Sequence, residues 1–173
     1  RQRQMCIRDS EQELRANNQL SDWCVHNLNT KPQLPYPADT FDYVLCAVSI
    51  QYLTAPIEVL KSALEVLRKR GRIVIAMSHR LFPTKAVSIF QHIAPEDRIK
   101  LVSSYLEIAG FDEVTALDRS PTNADPLWIV TGLKVSYETF FRANLSISPI
   151  CSMSSTVDTN GGANCRVSPP HLT

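Results

Sequence analysis

Two apolar runs, "FDYVLCAVS" (Phe41–Ser49) and "RIVIAMS" (Arg72–Ser78), flank one amphipathic segment. This arrangement constrains the chain more than any other feature. Neither run alternates apolar with polar residues. Unbroken hydrophobicity over such lengths predicts strands covered on both faces, as in a parallel sheet. Between them, Pro56–Arg68 sets Ile57, Leu60, Leu64 and Leu67 on one helical face with Ala63 in the seam. Thr54 stands where an N-cap is expected and Glu58 falls in the first turn. The "RKR" run sits at the negative pole of the helix, and Gly71 is placed to stop it. Strand, helix and strand in that order predict an α/β fold.

The flanking sequence extends the pattern. "EQELRANN" is a short helical stretch, and "DWCVHNL" (Asp22–Leu28) is rich in strand-forming residues. "NTKPQLPYPADT" holds three prolines and must be a loop. Pro95–Ala109 is a second amphipathic helix, with Ile99, Val102, Leu106 and Ala109 on its apolar face and Gly110 as C-cap. "FDEVTALD" and "PLWIVTGLK" then predict two strands around the turn "RSPTNAD". No helix separates these last strands, so they are expected to close the sheet as an antiparallel hairpin.

Both ends differ from this body. "RQRQMCIRDS" has neither a helical nor a strand period and is similar to translated sequencing-adapter strings. Residues 1–10 are therefore expected to be a non-native or disordered leader outside the fold. The α/β domain is expected over 11–134. Residues 135–173 are rich in Ser, Thr, Asn and Pro and read as a disordered tail. The chain begins with Arg1 rather than Met, so upstream sequence is expected to be missing.

Composition narrows the function classes. At 173 residues with 44% hydrophobic content, the chain can bury one core. A net charge of +1 gives no electrostatic basis for nucleic acid or an anionic membrane as partner. The apolar runs are too short to span a bilayer as helices. The five cysteines and four histidines show no metal-ligand spacing, so no metal is expected. Cys24 and Cys46 lie in apolar runs and read as buried thiols in a reducing, cytoplasmic setting. Organellar import stays open because the true N-terminus is not in hand. Oligomeric state is equally open.

The segments "LPYPADTFDYVLCAVSIQYL" (Leu34–Leu53), "VLRKRG" (Val66–Gly71), "SHRLFPTKA" (Ser78–Ala86), "AGF" (Ala109–Phe111) and "DPLWIVTG" (Asp125–Gly132) stand in a recognisable order. In that order they resemble the C-terminal portion of class I S-adenosylmethionine-dependent methyltransferases of the type-11-like group, over about Glu11–Lys134. The resemblance implies a Rossmann-like sheet, incomplete because its N-terminal strands are missing, ending in an antiparallel hairpin. It also implies S-adenosyl-L-methionine as cofactor and a small-molecule acceptor.

In such a sheet, ligands lie at the C-terminal strand edges. By resemblance, Asn27 and Leu28 would lie beside the adenine, where the family usually has Asp at the position of Asn27. Ala47, Val48 and Ser49 would follow the methionine portion. Gln51, Tyr52, His79, Arg80 and Lys85 would face the acceptor. His79, which stands where the family has Asn, is the one weak candidate for a general base. Asp42 opens its strand at the opposite edge and is expected to be structural.

The family's glycine-rich cofactor turn is not found here, because no glycine precedes Gly71. With about two strands and the glycine turn gone, the 173 residues alone are expected to be inactive and prone to associate through an exposed edge. Two other readings stand beside the enzyme. One is a non-catalytic, methyltransferase-like interaction module. The other is a nucleotide-dependent oxidoreductase, which the closing hairpin fits poorly.

Overall fold

The two apolar runs are neighbours in space. In the computed structural model, which describes residues 4–7 and 11–135, β3 (Phe41–Ala47) and β4 (Leu67–Met77) pair in parallel. The helix between them is α2 (Pro56–Val66), and α4 (Asp97–Ala109) lies beside it. The closing strands are β5 (Asp112–Asp118) and β6 (Trp128–Leu133). They pair antiparallel, and β6 inserts between β4 and β5 to give the order β3-β4-β6-β5. The expected α/β sheet with its terminal hairpin is thus present.

One face of this sheet is sealed. Ile73, Ile75 and Met77 of β4 and Trp128 and Val130 of β6 meet Leu60 and Ala63 of α2 and Val102 and Leu106 of α4 in a single core. From Ile73 onward every second residue of β4 points into that core, which is the period-two geometry of a strand. Phe90 reaches it from a short helix, α3 (Ser88–His92). Gly110 ends α4 at φ 98°, a left-handed backbone that glycine alone adopts without strain. Gly132 admits Phe111 so closely that a Cβ there would lie 2.8 Å from the phenylalanine Cβ.

The ends of α2 depart from expectation in three ways. The helix stops at Val66, and "RKR" belongs to β4. Gly71 lies within that strand and does not cap the helix; a Cβ on it would meet the Arg68 carbonyl oxygen at 2.8 Å. Thr54 does not cap α2 either: its N–H is given to Asn29 Oδ1 at 2.9 Å, and Ala55 stands at the N-cap. The register explains the first two. Phe41 pairs with Leu67 but Tyr43 pairs with Arg72, so Arg68–Gly71 bow out opposite Asp42 alone. Arg68 Nη1 donates to the Asp42 carboxylate at 3.0 Å, which gives Asp42 its structural role at the N-terminal edge of the sheet. Local propensity favoured a longer helix, and strand pairing overrode it.

Lys134 fastens that corner. Its Nζ donates to Asp39 Oδ1 at 2.9 Å and to the carbonyl oxygens of Glu65 and Leu67 at 3.2 and 2.6 Å. These carbonyls lie at the last turn of α2, where a cation also meets the negative dipole pole.

A second sheet joins β1 (Gln4–Ile7) to β2 (Asp22–Val25) in parallel, with α1 (Glu11–Ala16) between them. The placement of 1–10 outside the fold is therefore corrected for Gln4–Ile7, whose backbone pairs as a strand. The expected 22–28 strand shortens to Asp22–Val25. Among the described residues no strand bridges the two sheets. The expected tail, Val135 apart, lies outside the described residues. No described helix is long and apolar enough to cross a membrane, and no described group of His, Cys, Asp and Glu could hold a metal.

Candidate functional site

Because β3 and β4 run in parallel, the loops that leave them open on the same edge. The loop after β3 turns sharply at Val48, whose φ is 48°. A β-branched residue in the left-handed region is a true outlier and costs on the order of 1–3 kcal/mol. It is held there by the Val48 N–H, which donates to the Ala76 carbonyl oxygen at 2.9 Å. The turn leaves Ala47, Val48 and Ser49 exposed. A single 3-10 turn follows over Ile50–Tyr52, burying Ile50 and Gln51 beneath the exposed edge. Ser49 Oγ meets Cys46 Sγ at 3.2 Å, and burial pushes the Cys46 thiol up from its ordinary value. A protonated, inert thiol results.

The loop after β2 arrives at the same place through Asn29. Its Nδ2 donates to the Tyr52 carbonyl oxygen at 2.9 Å, and its Oδ1 accepts from Thr54. This latch is the residue that sequence reasoning missed; one asparagine among three polar loop residues carries no periodic signal. Asn27 and Leu28 are half-buried beside it. Asn27 Oδ1 accepts from the Asn29 N–H at 3.1 Å, an Asx turn that uses the oxygen expected to face a cofactor.

The loop after β4 contributes most of the polar chemistry. Tyr52 Oη accepts from the Phe82 N–H at 3.1 Å and the two rings lie 6.3 Å apart, joining this loop to the one after β3. Arg80 Nε meets Asp125 Oδ2 at 2.6 Å, and His79 Nε2 lies 3.8 Å from Asp125 Oδ1. Asp125 belongs to the turn before β6, and Met77 pairs with Trp128, so antiparallel pairing carries this carboxylate to the C-terminal end of β4. Its role was not legible beforehand because nothing local marks it. Gln51, Met77, Ser78, Arg80, Phe90 and Arg98 line a small, half-open cleft here. Lys85 is exposed, and its known contact is a backbone one, from its N–H to the Phe82 carbonyl oxygen.

The structure thus brings Gln51 and Arg80 to one cleft, ties Tyr52 to the loop after β4 through Phe82, and sets Asp125 beside His79 and Arg80. Ala47–Ser49 lie on the same rim, and Asn27 and Leu28 approach it by way of Asn29.

The comparisons agree with this architecture. The family described as "Methyltransferase domain" matches residues 4–75. No curated protein matches the chain. Among solved structures, a SAM-dependent methyltransferase from Thermotoga maritima is similar at 15% identity and a TM-score of 0.56, covering 76% of this chain and 72% of that one. A SAM-dependent methyltransferase from Aquifex aeolicus is similar at 17% identity and a TM-score of 0.55, covering 78% and 69%. The [4+2]-cyclase SpnF is similar at 16% identity and a TM-score of 0.51; 71% of this chain is covered, and the chain spans 60% of the cyclase's length. At these identities the likeness is one of fold. The expected resemblance to methyltransferases is borne out: the family match contains two of its five segments, Leu34–Leu53 and Val66–Gly71, and the solved structures share the fold.

Proposed function

We propose that this chain, a class I methyltransferase in its fold and in the family that its residues 4–75 match, belongs to an enzyme that moves a methyl group from S-adenosylmethionine to a small-molecule acceptor. The observation that carries this reading is the convergence of the loops after β2, β3 and β4 on one edge, around the strained turn at Val48. Strain of that kind persists only where the surrounding structure over-determines it, and it gathers at ligand sites.

Asn27 and Leu28 would flank the adenine, and Ala47, Val48 and Ser49 would run along the methionine portion. Gln51, Tyr52, His79, Arg80 and Lys85 would face the acceptor. When bound, the donor supplies an electrophilic methyl carbon on a sulfonium. The chain's own residues hold the reactants in line and keep water out, which is the main requirement of a displacement with a good leaving group. With His79 Nε2 turned toward Asp125, Nδ1 is the atom free to take a proton from a hydroxyl or acid acceptor, and Asp125 would steady the imidazolium.

The described residues fit one flank of such a donor. The other flank needs a backbone turn that approaches the cofactor closely, and no glycine precedes Gly71 to make one. The 173-residue chain alone is accordingly expected to bind the donor weakly. Calorimetric titration with S-adenosylmethionine tests this on two proteins, this chain and the same chain extended by whatever residues its gene encodes upstream. The extended protein should bind at micromolar concentration and this chain should not. Micromolar binding by this chain alone would overturn the expectation of a half-site, and no binding by either would overturn the enzyme.

A second reading, a non-catalytic interaction module, is favoured by one observation. Asn27 Oδ1 already accepts from the Asn29 N–H within its own loop, which leaves it one lone pair for a ligand. The same titration separates the two readings, since a module of that kind binds no donor in either form.

A further inference from the structure

Arg98 occupies the first turn of α4 and is 8% exposed, one of four buried polar or charged residues among those described. Its Nη1 donates to the His79 carbonyl oxygen at 2.8 Å. Its Nε is buried with no partner and is the single such side-chain atom among the described residues. No described carboxylate pairs with this guanidinium. Asp97, its neighbour, is engaged by Lys100 at 2.9 Å, and Asp125 is engaged by Arg80 at 2.6 Å.

A buried charge without a counter-ion is costly, and an orphaned buried donor adds its own desolvation penalty. Arg98 also lines the cleft beside Gln51, Ser78 and Arg80. With Nη1 committed to His79, the Nε–Nη2 edge is the one left over. That edge presents two parallel N–H groups, the geometry that grips a carboxylate or phosphate in two places. The α4 backbone amides do not compete for this role. The N–H groups of Asp97, Arg98 and Ile99 are already taken by the carbonyl oxygens of Ala94, Pro95 and Glu96.

We propose that Arg98 is the anchor of an oxyanion subsite in this cleft, and that it receives a carboxylate or phosphate group carried by the acceptor. This rests on the methyltransferase reading for the word acceptor, while the subsite itself rests on Arg98 and the cleft. It would sort acceptors by charge: an anionic tail is held at Arg98 while the methylated atom lies outward, toward His79 and Tyr52.

The test needs no donor. Inorganic phosphate and, separately, acetate are titrated into the full chain at constant ionic strength set with chloride. The Arg98 Nε–H resonance and the thermal midpoint are followed. At least one anion should shift the resonance and raise the midpoint saturably. Whichever does so tells phosphate from carboxylate. Arg98→Gln should abolish the midpoint rise, and Arg98→Lys should weaken it at least tenfold because an ammonium lacks the two-pronged edge. If Arg98→Gln does not fold, the wild-type resonance decides alone. A resonance unmoved by both anions, or a midpoint rise that Arg98→Gln retains, would overturn the subsite. Donor calorimetry is a separate measurement, so loss of the subsite and loss of the enzyme reading are told apart.

Discussion

The two faces of the four-stranded sheet are made by alternate residues of the same strands, yet they differ in cover, most of all at β3. On one face Ile73, Ile75, Val130 and Trp128 pack beneath α2 and α4, and Ile75 is 0% exposed. On the other, Tyr43 pairs with Arg72 and Leu45 with Val74, at 57% and 74% exposure for the two β3 residues. That face is knit by polar contacts instead. Thr115 and Thr131 hydroxyls lie 2.9 Å apart, and Arg72 lies 3.6 Å from Glu113. An apolar residue stabilises a strand only when something lies above it. A run hydrophobic on both sides, such as "YVLCA", is written for two covers. The described residues provide one.

If that contrast is right, Ile75→Ala should cost about 2–5 kcal/mol by lost transfer energy and cavity formation, whereas Leu45→Ala should change stability by no more than about 0.5 kcal/mol. Urea unfolding followed by circular dichroism measures both; equal losses would break the comparison. The covered face also depends on the corner that Lys134 ties down. Lys134→Met should lower stability by about 1–3 kcal/mol, because the Glu65 and Leu67 carbonyls lose a charged donor that is 21% exposed. On the open face, Glu113→Gln removes an exposed pair and should cost under about 1 kcal/mol, with the difference vanishing at high salt. Leu45→Lys should leave stability alone and reduce concentration-dependent light scattering, since it places a charge on β3, the outermost strand of the sheet among the described residues.

The smallest effect concerns pH. Hydrogen bonds from Ser120 hold the Asp118 carboxyl below its ordinary value. A lowered folded pKa gives stability that is present above the unfolded value near 4 and lost as pH falls through the folded one. Asp118→Asn should therefore lower stability slightly at neutral pH, leave it unchanged once pH has fallen below the folded value, and so flatten the acid limb of the profile.

Much of the covered half was legible in the sequence. Val102, Leu106 and Ala109 repeat at helical spacing and are all buried, and Gly110 caps α4 as its position implied. The closing hairpin followed from two strands with no helix between them. What escaped was set by distant partners. "RKR" left the helix because Arg72 pairs with Tyr43, and Asp125 joined Arg80 because Trp128 pairs with Met77. Asn29 became a latch through residues more than twenty positions away. Gln4–Ile7 were set aside for lack of a period, but a four-residue strand is too short to show one.

The strand order has a consequence for how the molecule is made. β6 fills the slot between β4 and β5 but is translated after both. A nascent chain therefore carries an open backbone edge on β4 while about fifty further residues are added, a wait of roughly 3–10 s at ordinary rates of synthesis. Rare codons between Met77 and Trp128 would lengthen that interval.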